Sequence, residues 1–208
     1  MLFNASAPWH YGAEPAPAGT IDFTTVALHE VGHGLNYIDL FRISGISGVY
    51  GSDFDRNGRV DADERYAGAF GRHLVRTRAD GSSLSLTDTE VFPNPSPALG
   101  DALRSDSLFF RGENAKQEAR QAEGPDLPKV YAPERFERGS SISHLDENTY
   151  PPQTENALMT PFINRAETIR QPGSLMCGQL IDMGWEPGPG CALGNLALSG
   201  FEGTVTGT

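Results

Sequence analysis

Apolar residues recur at the spacing of an α-helix in three stretches of the chain. The first stretch follows Asp22, whose side chain can cap a helix that begins near Phe23. Asn36 tolerates the left-handed conformation found at many helix ends, so we expect this helix to end there. Its apolar positions form one stripe, which we predict to be buried: Leu28, Val31 and Leu35.

The other two stretches lie in the middle of the chain and near its end. A second helix is predicted from about Ala62 to Arg76, with an apolar side made of Tyr66, Phe70 and Leu74. A final helix is predicted from Ser174 to Met183, with inward positions at Met176, Leu180 and Met183.

The segments between these helices show no long periodic pattern. Residues 1–20 are rich in Pro, Gly and Ala, and we expect them to be irregular. Residues 43–52 predict a loop or a short ribbon, and the proline-rich residues 91–98 predict extended chain. The polar residues 114–122 predict a solvated loop or an exposed turn of helix. With 24 Gly and 15 Pro, the sequence indicates a loop-rich protein with few long elements.

Length and charge limit the class of protein. The 208 residues suit one domain, which we place at 1–190, followed by a tail or linker at 191–208. The net charge of −11 argues against nucleic acid, whose phosphates require a basic surface. No apolar run approaches the roughly 20 residues that span a bilayer, so no transmembrane segment is expected. The chain also starts without the features of a signal peptide, so either a signal was removed or the domain comes from a longer precursor.

The sequence contains two cysteines, Cys177 and Cys191. A disulfide between them would join the last predicted helix to the tail and would suit an oxidising compartment. The alternative is a pair of unrelated thiols. We favour the disulfide because the other features described below point to an extracellular protein.

The residues His29-Glu30-Val31-Gly32-His33 form a His-Glu-x-x-His pattern within the first predicted helix. Side chains four residues apart lie one above the other on a helix, so both imidazoles can bind one metal ion. This pattern is typical of zinc hydrolases, in which the glutamate faces the metal and acts as general base. The alternative is a helix with two surface histidines. A catalytic zinc ion also needs a third protein ligand, which the pattern does not supply.

Four residues are candidates for that third ligand. His73 falls on the second predicted helix and suits a surface or packing role, and His10 has no partner pattern. Asp39 fits a short zinc-helix spacing of i, i+4 and i+10, in which the helix breaks at Asn36 and the chain turns back. His144 lies in a Ser-His segment, where the alternative role is a loop histidine that binds Asp146 through a hydrogen bond.

The segment Gly139-Ser140-Ser141-Ile142-Ser143-His144-Leu145-Asp146-Glu147 is followed by Asn156-Ala157-Leu158-Met159-Thr160-Pro161. Together with the His-Glu-x-x-His helix, these segments resemble the leishmanolysin-like branch of the metzincin zinc peptidases, and secreted bacterial members most closely. The resemblance covers Thr25 to Leu35, Tyr131 to Pro161 and Gln179 to Trp185.

The resemblance implies a role for each matched residue. His29, His33 and His144 would be the zinc ligands, Glu30 the general base, and Met159 the methionine of the turn beneath the metal. Asn36 departs from the family pattern, which usually has Gly there, and a left-handed Asn can replace it.

The implied fold is an α+β metzincin-like domain. It has an active-site helix, a long insertion and a loop-rich C-terminal subdomain ending in a helix. Because only 28 residues precede His29, the N-terminal sheet would be reduced.

Residues 53–64 match the twelve-residue calcium loop of an EF-hand. Gly58 stands at the sharp turn and Val60 at the apolar eighth position. The predicted calcium ligands are Asp53, Asp55, Asn57, the backbone carbonyl of Arg59, Asp61 and Glu64. Only the exiting side looks helical and no second copy is present, so we expect a structural calcium site in an extracellular protein. The alternative is an acidic solvated turn that binds no ion.

Taken together, these features predict a secreted zinc-dependent endopeptidase that binds Zn²⁺ and Ca²⁺ and acts on protein or peptide substrates. A first alternative is a calcium-stabilised binding or adhesion module with a vestigial zinc site. A second is a zinc hydrolase with a different substrate class, because the His-Glu-x-x-His pattern specifies activation of water and not the bond that is cleaved.

Overall fold

A computed structural model describes residues 2–122 and 124–191 of the protein. The five α-helices of this part are short: α1 Phe23–Gly34, α2 Gly68–Gly71, α3 Pro97–Ala102, α4 Glu113–Gln121 and α5 Ser174–Asp182. The strands are β1 Trp9–His10, β2 Ile21–Asp22, β3 Phe41–Ser44, β4 Ser47–Tyr50, β5 Leu74–Thr77, β6 Ser83–Ser85 and β7 Leu108–Phe110. Two 3₁₀ turns complete the set, at Ala62–Glu64 and Glu155–Met159.

The strands form three small sheets. β1 and β2 pair in parallel over two residues, and β3 and β4 form an antiparallel hairpin. β5 lies between β6 and β7 in a three-stranded antiparallel sheet. This mixture of short helices and small sheets is compatible with the α+β class. The hairpin also confirms the ribbon predicted at 43–52.

Helix α1 begins and ends where its sequence indicated. The buried Asp22 carboxylate accepts hydrogen bonds from the backbone N–H and hydroxyl of Thr25, and it forms a 2.8 Å ion pair with Arg170. Arg170 and the Thr25 N–H lower the pKa of Asp22, against the opposing effect of burial. At the other end, Asn36 has a φ of 67°, which confirms it as the left-handed residue that ends the helix.

The buried face of α1 differs from the predicted stripe. Val31 is 49% exposed, and Leu28 and Leu35 are only half-buried. The buried positions are instead Thr25, His29 and Gly32. The helix is therefore turned so that its polar residues face the protein and its leucines reach a groove beside α5.

The second helix predicted from Ala62 to Arg76 was wrong. The structure has the 3₁₀ turn, the four-residue α2 and then strand β5 in its place. Gly68 has a φ of +68°, a left-handed conformation that interrupts a continuous helix. Phe70 and Leu74 are fully buried as predicted, but Tyr66 is 42% exposed.

Two further segments contain more helix than predicted. The prediction of extended chain at 91–98 was wrong for its last two residues, which begin α3. Ser96 caps this helix by accepting a hydrogen bond from the Leu99 N–H. The polar residues 114–122 lie mostly in the nine-residue α4. Ala115 and Ala119 of this helix are buried and face α5, where Gly178 permits close approach.

The final helix was predicted correctly, and its inward residues Met176, Leu180 and Met183 are buried. Cys177 and Cys191 form a disulfide, with their Cα atoms 5.5 Å apart, as predicted. The domain limits at 1–190 stay a prediction. The predicted tail, apart from Cys191, lies outside the described residues.

Candidate metal centre

Three histidines from distant parts of the chain meet at one point. His29 and His33 are one turn apart on α1. The His144 carbonyl accepts a hydrogen bond from the Tyr131 N–H, and the Ile142 N–H donates to the Tyr131 carbonyl, which holds the third histidine beside that strand-like segment. The Nε2 atom of His29 lies 3.1 Å from Nε2 of His33 and 3.3 Å from Nε2 of His144. His29 and His144 are buried, and His33 is half-buried.

The other ring nitrogen of each histidine is held by the backbone. Each Nδ1 lies 2.7 Å from a carbonyl oxygen, of Leu158 for His29, Tyr37 for His33 and Ser140 for His144. A carbonyl only accepts hydrogen bonds, so each Nδ1 must carry a proton and donate it. In the neutral imidazole the Nε2 atom is then an unprotonated acceptor. The lone pairs of the three Nε2 atoms are therefore brought close together without a proton between them. A bound cation would accept all three.

The spacing of the three nitrogens fits a zinc ion. Nitrogens bound tetrahedrally at about 2.0–2.1 Å from zinc lie about 3.3 Å apart. The separations of 3.1 and 3.3 Å agree with that value. Backbone carbonyls on the far ring nitrogens are also the usual way in which proteins orient metal-binding histidines. The cluster can therefore hold a metal ion at three corners, leaving a fourth for another ligand.

Burial favours the neutral form of two of these imidazoles. It lowers the pKa of His29, and it lowers the pKa of His144 to about 3. The neutral form is the one that binds a metal, since a protonated Nε2 has no lone pair to offer.

Asp39, the alternative third ligand, lies outside this cluster. Its carboxylate accepts hydrogen bonds from the Phe41 N–H and the Ser143 hydroxyl, each at 2.5 Å. Ser143 precedes His144, so its hydrogen bond to Asp39 helps to fix the position of the segment that contains the third histidine. Burial raises the pKa of the Asp39 carboxyl to about 7. Among the described residues, the histidine cluster has His144 and not Asp39 as its third member.

The remaining histidines take other roles. His73 stacks on Phe110 with ring centroids 4.8 Å apart, in agreement with the predicted packing role. The Nε2 atom of His10 lies 2.9 Å from the carbonyl oxygen of Glu14, within the N-terminal segment.

Glu30 lies beside the cluster and opens onto a cleft. It is half-buried and lines a cleft of about 470 Å³ together with His33 and Asp39. Its lining also includes Ser52 and Asp53, where residues 53–64, hereafter the acidic loop, begin. Glu30 is therefore accessible from this cleft.

Met159 packs against α1 at Gly32, between the two histidines of that helix in sequence. It is fully buried, and its backbone carbonyl accepts a hydrogen bond from the Leu145 N–H, next to His144. A Cβ added to Gly32 would lie 2.8 Å from the Met159 sulfur and 2.9 Å from the Met176 methyl carbon. Gly32 thus allows α1 to rest on Met159. The three carbonyl partners could not be predicted from the sequence, because residue types do not show which backbone carbonyl accepts a hydrogen bond.

The acidic loop gathers part of its predicted ligand set. Oxygens of Asp53, Asp55 and Glu64 lie within 4.8 Å of one another. Glu64 is buried and its carboxylate accepts hydrogen bonds from the N–H groups of Phe54, Asp55 and Asp61. Gly58 has a φ of +88°, as the predicted sharp turn requires. The Asn57 side-chain amide donates to the carboxylates of Asp55 and Asp61, and Asp61 is not part of the three-carboxylate group. The role of the Arg59 carbonyl stays a prediction.

Comparisons of the chain with models of protein families, with curated proteins and with solved structures found no match. The metzincin resemblance therefore remains an expectation from the motifs alone. Within the described residues, no helix has the length and apolar character needed to cross a membrane.

Proposed function

We propose that this protein is a zinc-dependent endopeptidase, with His29, His33 and His144 as the zinc ligands. The observation that supports the proposal best is the convergence of three Nε2 lone pairs whose rings are fixed from behind by backbone carbonyls. Three protein ligands and one open position are the usual composition of a catalytic zinc site. A closed structural site would have a fourth protein ligand.

Zinc in this position supplies Lewis-acid polarisation of a carbonyl group and makes a neighbouring water more acidic, toward a pKa of about 7. Glu30 is the residue that moves the proton. Its carboxylate accepts a proton from the attacking water and then donates it to the amine that leaves when the peptide bond breaks. The cleft lined by Glu30 and His33 gives a peptide access to this point.

The resemblance to metzincins supports the choice of peptides as substrates. Metzincin domains align substrate along the edge of a sheet that precedes the zinc helix, by strand addition. Here that region contains β1 and β2, which pair over only two residues. A peptide bound by this protein therefore has to depend more on the cleft walls than on a sheet edge.

The test is hydrolysis of casein by zinc-loaded wild-type protein and by Glu30→Gln. The amide is isosteric with the carboxylate but cannot accept a proton, so we expect zinc content to stay the same and the rate to fall by about 10²- to 10⁴-fold. Zinc-loaded wild type that fails to cleave casein would contradict a peptidase function. Full turnover by Glu30→Gln would contradict the role of Glu30.

We further propose that residues 53–64 bind one calcium ion and that the protein is secreted. Three carboxylates close together repel one another unless a cation lies between them, which supports a calcium ion at Asp53, Asp55 and Glu64. Asn57 and Asp61 would turn their oxygens toward the ion when it binds. The disulfide between Cys177 and Cys191 and the calcium loop both suit an extracellular protein.

A further inference from the structure

A second cleft continues from the candidate metal centre and is lined by arginines. This arginine cleft has a volume of about 830 Å³ and is bordered by Arg42, Arg104, Arg135 and Arg138, with Phe136 and Glu134 among them. Three of these residues, Arg42, Phe136 and Arg138, also line the cleft that contains Glu30 and His33. The two clefts therefore form one path that leads away from the histidines.

The concentration of positive charge is unusual for this chain. The whole sequence has 16 Lys and Arg against 27 Asp and Glu, and 4 of those 16 border one cleft. Glu134 is the one carboxylate among the described residues that line it. A basic cleft on an acidic protein concentrates anionic ligands, while the rest of the surface repels them.

Most of this charge is available to a ligand. Arg104 pairs with the exposed Asp101 at 3.4 Å, and Arg42 donates to the Gly51 carbonyl at 3.1 Å. Within residues 2–122 and 124–191, no ion pair involves Arg42, Arg135 or Arg138. Arg135 and Arg138 are exposed, so their guanidinium groups can form paired hydrogen bonds with an incoming carboxylate.

The end of the path nearest the histidines carries side chains of both signs. Glu30, Asp39 and Asp53 line that end together with Arg42 and Arg138. Positive charge therefore predominates only in the arginine cleft.

We infer that the arginine cleft selects peptides with glutamate or aspartate side chains to one side of the cleaved bond. This inference rests on the proposed peptidase function for its biological meaning. The preference in binding follows from the arginines of the cleft and does not require hydrolysis. Phe136 offers apolar contact between the arginines for the stems of those side chains. The net charge of −11 favours a short acidic peptide over a nucleic acid, which requires a broader basic surface than one cleft.

The experiment measures binding without turnover. Zinc-loaded Glu30→Gln protein is titrated into a short fluorescein-labelled peptide of alternating Glu and Ala, and into its counterpart with Gln in place of Glu. Fluorescence anisotropy should show about tenfold tighter binding of the Glu peptide at low salt, the sum of several exposed ion pairs. Near 0.5 M sodium chloride this difference should shrink to about twofold.

Variants identify the residues responsible. In the Glu30→Gln background, Arg135→Ala with Arg138→Ala should weaken binding of the Glu peptide about tenfold and leave the Gln peptide within about twofold. The matched control is Arg78→Ala, an exposed arginine outside this cleft, which should change neither value. Arg135→Glu with Arg138→Glu should shift the preference to a Lys peptide, an effect that a merely structural role would not produce.

The inference is overturned if the Glu and Gln peptides bind equally, or if Arg78→Ala weakens binding as much as the cleft variants do. It is also overturned if a DNA duplex binds the cleft more tightly than the Glu peptide. Because casein hydrolysis is a separate measurement, loss of the charge preference with retained hydrolysis refutes this inference alone. A retained preference without hydrolysis refutes the peptidase function alone.

Discussion

The histidine cluster and the acidic loop are both candidate cation sites, and they are built in different ways. His29 and His144 are 115 residues apart in sequence, and the ring of His29 is fixed by the carbonyl of the distant Leu158. Carbonyls four residues away fix the rings of His33 and His144. The acidic loop takes all its ligands from twelve consecutive residues, and its carboxylates accept hydrogen bonds mainly from the N–H groups of the loop itself. The first site is therefore a product of the tertiary fold, whereas the second is a local motif.

This difference has a functional consequence. A site fixed by the fold keeps its geometry without the ion and leaves one position open, as catalysis requires. A local loop of acidic side chains gains its order from the ion and stabilises the chain around it. We therefore expect the two ions to be separable, with zinc controlling activity and calcium controlling stability.

Selective chelation gives the largest expected effect. Removal of zinc with 1,10-phenanthroline should lower casein hydrolysis by at least about 10³-fold, because the reaction then lacks its Lewis acid. Removal of calcium with EGTA should lower the unfolding temperature, with a loss of about 2–3 kcal/mol if calcium had been present at about 100 times its Kd. Activity assays and thermal unfolding monitored by circular dichroism measure the two effects.

Glu64→Gln is the control for this separation. It removes the buried carboxylate of the acidic loop without touching the histidines. The variant should lose the response of its unfolding temperature to calcium and keep its zinc. Equal effects of both chelators on activity and on stability would show that the sites are not independent.

The pH dependence of stability gives a second, smaller test in the metal-free protein. Because the folded pKa of His144 is about 3 and its ordinary value is 6.5, the unfolded chain binds a proton first as pH falls, and stability is lost between about pH 6.5 and 3. Asp39 acts in the opposite direction. Its folded pKa of about 7 lies above the ordinary 3.8, so its contribution is lost as pH rises between these values.

Asp39→Asn should therefore steepen the acid-side loss of stability. The substitution removes the protonation of Asp39, which opposes the effect of His144. The slope of the free energy of unfolding against pH therefore changes by at most about 1.4 kcal/mol per pH unit. Urea unfolding of metal-free wild type and Asp39→Asn between about pH 4 and 6.5 gives this slope. An unchanged or flatter slope in the variant would contradict the raised pKa of Asp39.

Two glycines of α1 provide the smallest and most local test of the tertiary site. Gly32→Ala brings a methyl group against the ends of the Met159 and Met176 side chains, at a packing cost of about 1–3 kcal/mol. Helix propensity returns about 1 kcal/mol, so the net loss in the free energy of unfolding should be about 0–2 kcal/mol. Gly34→Ala meets no atom within 4 Å and should stabilise by up to about 1 kcal/mol, as helix propensity predicts. Urea denaturation measures both values. Equal effects would mean that Met159 does not support the helix in the way described.

The same contrast explains what could be predicted from the sequence. Local signals were sufficient for α1 with its cap at Asp22 and its end at Asn36, and for the final helix. The acidic loop was also visible, because its pattern lies within twelve residues. His144 could be proposed only through a resemblance, since nothing near it in sequence marks it as a partner of α1.

The errors fall where distant residues decide the structure. Phe70 and Leu74 are spaced as on a helix and both are buried, yet Leu74 pairs with Phe110 in a sheet. A short apolar segment has the same sequence pattern in a helix and in a strand. Which of the two forms depends on the residues elsewhere in the chain that pack against it. Helix α4 was predicted as a loop or a single turn for a related reason. Its buried residues Ala115 and Ala119 are small, and they contribute to the core only because α5 packs against them.

The central claim is that the fold brings His144, and not Asp39, to the two histidines of α1. Zinc affinity and stoichiometry of purified wild type, His144→Ala and Asp39→Ala test it most directly. We predict one zinc ion per chain for wild type and Asp39→Ala, and an affinity about 100-fold weaker or worse for His144→Ala, which retains two ligands. If His144→Ala keeps its zinc and Asp39→Ala loses it, the account of this metal centre is wrong.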